Sequence, residues 1–149
     1  LSHGDFKGDG KRHEDMGAAF DYDQDGWVDI LSGDDNPGAW HLYKNNGQAN
    51  GNSSATIRVG YSPSNVDPLG AMIELKTGDL SLTKRVGSTG AVHSQDVLNI
   101  AHFGLGRHDT IDRLTVRWRS GESAERRNLK IDDIVVVGHF PNAEEARPD

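Results

Sequence analysis

Ile111-Asp112-Arg113-Leu114-Thr115-Val116-Arg117-Trp118-Arg119 is the stretch from which the fold can be read. Apolar Leu114, Val116 and Trp118 alternate with polar Thr115, Arg117 and Arg119. Successive side chains of a strand point to opposite faces, so one face meets a core and the other meets water. Ser120-Gly121-Glu122 then reads as a turn, and Ser123–Leu129 as the returning strand. A half-buried hairpin of this kind needs a partner layer to cover Trp118.

Working outward, the same grammar repeats. Thr56–Tyr61 places Ile57 and Val59 on one face, and Ala71–Lys76 places Ile73 and Leu75 together. Thr77-Gly78-Asp79 is a hairpin signal. Leu80–Val86, Val97–Phe103 and Ile134–Val137 complete the set, with Leu80 and Leu82 inward. Short alternating runs between turns argue for an all-β protein, an antiparallel sandwich or barrel, and the expected fold is an antiparallel β-sandwich. Only Gly10–Phe20 reads as a possible helical turn. The 18 glycines among 149 residues favour short strands over helices.

The N-terminal part carries a different signal. Asp21-Tyr22-Asp23-Gln24-Asp25-Gly26-Trp27-Val28-Asp29 places carboxylates at the first, third, fifth and ninth positions of a short loop. Calcium takes about six to eight oxygen ligands from carboxylates and backbone carbonyls. Alternate residues of a curling loop converge, so Asp21, Asp23, Asp25 and Asp29, with the Trp27 carbonyl, form the expected Ca2+ shell. Gly26 permits the sharp turn. Trp27–Leu31 reads as a strand whose Val28 and Ile30 share a core face. The loop is not an EF-hand, because Ser32 stands where a bidentate glutamate is needed. Asp5-Phe6-Lys7-Gly8-Asp9-Gly10 resembles a decayed copy, with Lys7 and His13 in place of two carboxylates.

Asp-x-Asp-x-Asp-Gly-x-x-Asp running into an apolar strand resembles the calcium loop of FG-GAP/VCBS repeats. Leu42-Tyr43-Lys44-Asn45-Asn46-Gly47 is similar to the hairpin that follows such loops. Further on, Ser64-Asn65-Val66-Asp67-Pro68-Leu69-Gly70-Ala71, Gly87-Ser88-Thr89-Gly90 with Ser94-Gln95, Phe103-Gly104-Leu105-Gly106, and Leu114–Gly121 resemble, in order, the motifs of ASPIC/UnbV domains. Pro68, Ala91-Val92-His93 and Arg119 depart from that pattern. The resemblance implies an extracellular β-module with no assigned reaction, and the two families commonly occur in this order in secreted proteins. It divides the chain into a calcium-binding segment, 1–52, docked on a sandwich, 53–149.

Composition narrows the function. There is no cysteine, and no run approaches the ~20 apolar residues of a membrane helix. The chain begins abruptly at Leu1 without a visible signal peptide, as expected of a module within a larger multidomain secreted protein. Net charge is −7, but residues 84–130 hold nine basic and five acidic residues. Lys84, Arg85, Arg107, Arg113, Arg117 and Arg119 are candidates for an anion-binding face, because arginine's planar fork suits sulfate and carboxylate. Overall acidity argues against nucleic acid. His93, His102 and His108 lack metal-ligand spacing, and no Gly-x-Ser-x-Gly elbow or phosphate loop is present, so no catalysis is expected. Trp40, His41 and Tyr43 follow a glycine-containing loop. Trp40 faces either a core or a sugar ring. The expected partner is a polysaccharide, plausibly anionic and bound by Trp40, His41, Tyr43, Arg85, Arg117 and Arg119. The first alternative is a matrix or cell-adhesion protein as partner, and the second a purely structural C-terminal cap to a repeat enzyme.

Overall fold

In a computed structural model, residues 16–23, 25–33, 40–47, 51–87, 99–131 and 134–141 are described. They form strands β1 (Met16–Phe20), β2 (Asp29–Gly33), β3 (Trp40–Tyr43), β4 (Ser53–Val59) and β5 (Met72–Thr77). Then follow β6 (Leu80–Arg85), β7 (Ile100–Gly106), β8 (Thr110–Arg117), β9 (Ser123–Lys130) and β10 (Val135–Val137). No α-helix occurs among the described residues.

The alternating stretch is β8, an inner strand of the sheet β6-β5-β8-β9. A second sheet, β10-β4-β7, faces it. Ile73 and Leu75 from β5 and Ile111, Leu114 and Val116 from β8 meet Ile57 and Val59 of β4 and Phe103 and Leu105 of β7 in one buried cluster. Trp118 is 2% exposed, and its indole N–H donates to the Gly60 carbonyl at 3.0 Å. That bond satisfies the one polar atom of the ring while its area is buried. The two sheets are therefore joined by apolar contact and by one buried hydrogen bond across the core.

Three expectations are corrected. The final strand joins β4 in parallel, Val135 opposite Ile57, whereas the other described pairs are antiparallel. A crossover from β9 at the edge of one sheet to the other sheet makes this possible. Phe20 and the four residues before it form strand rather than helix, because they pair with β2 from Met16–Gly33 to Phe20–Asp29. Residues 10–15 of that expectation lie outside the described residues. The two-residue period of β8 also breaks: Ile111 and Leu114 are both fully buried. The break faces Asn128, which adopts φ 52°.

The first three strands form a separate sheet, β1-β2-β3. Among the described residues, none of the buried apolar core comes from it. Its connection to the sandwich is polar at one described point: the Ser54 hydroxyl, at the start of β4, donates to the Gly26 carbonyl at 2.7 Å.

Candidate metal centre

The acidic loop closes the β1–β2 hairpin. Register brings Phe20 opposite Asp29, so the loop's first and last carboxylates start close together. Gly26 turns the chain at φ 86°, a left-handed conformation that side chains resist. Asp21 then accepts the backbone N–H of Asp25 at 3.1 Å and of Gly26 at 2.9 Å. Asp25 accepts the N–H of Trp27 at 3.0 Å. These short-range bonds curl the backbone around the carboxylates.

Asp29 is the anchor. It is fully buried, and its two oxygens accept the N–H of Tyr22 at 3.2 Å and of Asn45 at 2.7 Å. This corrects the reading of the segment after the loop. Val28 is half-buried and Ile30 is 39% exposed, so they do not pin the loop in a core. A hydrogen-bonded carboxylate takes the inward position instead. Gly47 completes the frame. A Cβ there would stand 2.1 Å from the Trp27 ring, so only glycine lets that ring lie against the turn.

Asp21, Asp23 and Asp29 each bring one oxygen to within 4.8 Å of the others. Asp25 sits apart from that trio, exposed, with its Oδ2 3.1 Å from Lys44 Nζ. Lys44 also hydrogen-bonds Asp23. The bond from Lys44 holds the Asp23 carboxyl below its usual range, and the bonds to Asp23 and then Asp25 raise the Lys44 ammonium. The donor set is entirely oxygen, which suits a hard cation such as Ca2+ or Mg2+. The Lys44 ammonium already bridges two carboxylates of the loop, Asp23 and Asp25. The residues thus fit a bound metal.

Sequence reasoning missed Lys44, Asn45 and Ser54. The first two were legible through register: Ile30 lies opposite Tyr43, which brings the next residue, Lys44, beside Asp29.

The remaining candidates lie on two different sheets. Trp40 is 57% exposed, and its ring covers Gly33 on the neighbouring strand, so it is not a core residue. His41 and Tyr43 share the opposite face, with ring centroids 6.3 Å apart. On the outer face of the four-stranded sheet, Met72 lies between Arg85 and Arg117. Lys76, Arg113 and Arg127 form a second row on that face, and Glu74, Thr115 and Glu125 a row between. Arg127 pairs with Glu125 at 2.7 Å. Lys84 is opposite Ile73 and projects to the other side. Arg119, beyond the strand, lies against Gly70. His93 and the expected second loop, residues 5–13, are outside the described residues.

Fold and site define a β-sandwich protein with a carboxylate-lined hairpin loop leaning on one of its sheets. Compared with protein families, residues 61–144 match ASPIC and UnbV, and residues 21–81 match an FG-GAP-like repeat. No curated protein matches the chain. The chain belongs to the ASPIC and UnbV family, and the FG-GAP-like match begins before that family's match and overlaps its start.

Proposed function

We propose that this chain is a calcium-binding, non-catalytic recognition module of a multidomain secreted protein, and that its ligand is an anionic polysaccharide. The observation that carries the reading is the convergence of Asp21, Asp23 and Asp29, with an ammonium drawn to the edge of the cluster at Asp23. Carboxylates this close repel one another unless a cation lies between them. Asp21, Asp23, Asp29 and the Trp27 carbonyl would hold the ion, with Asp25 joining once Lys44 withdraws. The ion's contribution would be to fix the hairpin against β4. A site of few protein ligands suits the abundant calcium outside cells.

The polysaccharide part rests on the outer face of the four-stranded sheet. Arg85, Arg117, Lys76, Arg113 and Arg127 outnumber Glu74 and Glu125 there. Rows of cations across a flat sheet match a repeating polyanion better than a compact one. Binding of sulfated and uronic polysaccharides, measured with calcium and with chelator, tests both parts. The expected result is salt-sensitive binding that neutral glycans do not show. Equal binding of neutral and charged glycans would reject the anionic preference.

One observation favours the alternative, an adhesion or matrix protein as partner. Trp40 and Leu42 lie on one face of β3 at 57% and 39% exposure. Exposed aromatics of this kind anchor protein interfaces. Tight binding to a matrix protein, lost in Trp40→Ala, with no glycan bound, would replace the polysaccharide reading.

A further inference from the structure

A cleft of about 570 Å3 opens where the acidic hairpin meets the sandwich, well within the size of ligand sites. Phe20, Asp21, Gly26 and Val28 line the hairpin side. Arg58, Lys84 and Arg85 line the sandwich side. The bond from Ser54 to the Gly26 carbonyl ties one side to the other.

The charges across the cleft are unequal. Among the described residues that line it, Asp21 supplies the one carboxylate, against three cations. Among the described residues, none of those cations has a carboxylate partner. Two are held by rings instead: Arg58 Cζ is 4.4 Å from the Phe140 centroid, and Lys84 Nζ is 5.5 Å from that of Phe103. A ring face attracts a cation without accepting its N–H groups in ordinary hydrogen bonds. Their donors thus remain available to an anion. Ile100 and Ile134 add apolar surface, which the C–H face of a sugar ring can cover.

We propose that this cleft is the subsite for a single acidic sugar, uronic or sulfated, with its anionic group directed to Arg58 and Lys84. The inference rests on the polysaccharide reading above. Arg85 joins the two regions: it lines the cleft and also begins the row with Met72 and Arg117. A polysaccharide leaving the cleft would therefore cross β6 onto the cationic face.

The test uses the whole chain at fixed calcium, with trigalacturonate and a sulfated heparin disaccharide as short acidic probes, maltotriose as the neutral one, and polygalacturonate as polymer. In calorimetry, Arg58→Gln with Lys84→Gln should weaken the short acidic probes by about tenfold or more, since bonds to charged groups are among the stronger ones. Arg117→Gln should weaken the polymer and spare the short probes. The two acidic probes separate a carboxylate from a sulfate preference. Amide shifts on the wild-type protein need no variant: trigalacturonate should move Arg58, Ile100 and Ile134. Shifts confined to β8 and β9, or equal affinity for short probes in the cleft variant, would overturn the subsite while leaving the polysaccharide reading intact. Failure of both polymer and short probes to bind would overturn that reading, and the subsite with it.

Discussion

Carboxylates are handled in opposite ways at two places in this molecule. At the β8–β9 turn, Glu122 is one acid among hydroxyls. Ser62 donates to its Oε2 at 2.6 Å, Ser120 donates at 2.9 Å, and Ser64 donates to the same oxygen. In the β1–β2 loop, four acids crowd together, and only Asp23 and Asp25 reach the one described ammonium, that of Lys44. The first arrangement is complete as it stands, and it staples the loop after β4 to the turn after Trp118. The second concentrates more negative charge than its partner offsets. A carboxylate with neutral donors is architecture, whereas a surplus of carboxylates around one centre points to an ion.

The largest break in that comparison is expected at Asp29. Asp29→Ala removes the acceptor of two backbone N–H groups and one oxygen of the trio. Leaving a fully buried donor unpaired costs ~1–3 kcal/mol, and these two are part-buried, so the variant should melt below wild type even in chelator. It should also lose the calcium-induced rise in melting temperature, which corresponds to ~2.7 kcal/mol at a hundredfold excess over Kd. A wild-type melting temperature indifferent to calcium and chelator would refute the metal reading. Gly47→Ala comes next. A Cβ driven into the Trp27 ring should cost ~1–3 kcal/mol as overpacking. Urea unfolding followed by tryptophan fluorescence would measure it, and an unchanged midpoint would show that the ring is free to move.

The comparison also explains what the sequence made legible. The sandwich strands were readable because alternation and burial coincide: Ile57, Val59, Ile73, Leu75, Val116 and Trp118 are all buried where the period puts them. The acids were readable because their spacing is local. What escaped was long-range or against the hydrophobic pattern. Asp29, not Ile30, faces inward, because two backbone donors stabilise a buried carboxylate that apolar periodicity cannot anticipate. The parallel β10–β4 pair depends on where a crossover lands. Ser62 and Ser64 lie far in sequence from Glu122, so nothing local marks them as its partners.

Lys44→Met sharpens the contrast from the side of the loop. It removes the resident ammonium while keeping an apolar stem of similar length. Without a metal, the unbalanced carboxylates should lower the melting temperature. With calcium, the ion no longer displaces a competing cation, so calorimetry should show several-fold tighter binding. The two effects have opposite sign, which separates competition from simple support. Weaker calcium binding in this variant would mean that Lys44 assists the site rather than competing for it.

The smallest effect is expected at Glu122, and it carries a pH signature. Bonds from Ser62, then Ser64, hold its folded-state carboxyl below the usual glutamate range. A depressed folded value contributes stability that is fully present above the unfolded glutamate value of about 4.3. That contribution fades as pH falls from there through the lower folded value. Glu122→Gln keeps an acceptor oxygen for the hydroxyls but loses the charge that strengthens those bonds. The variant should therefore melt slightly below wild type at pH 7, and the gap should close as both are acidified. Because Glu122 is remote in sequence from the acidic loop and needs no ion, the gap should be the same in calcium and in chelator. A gap that opens only with calcium would show that the two carboxylate sites communicate, and the contrast between them would have to be abandoned.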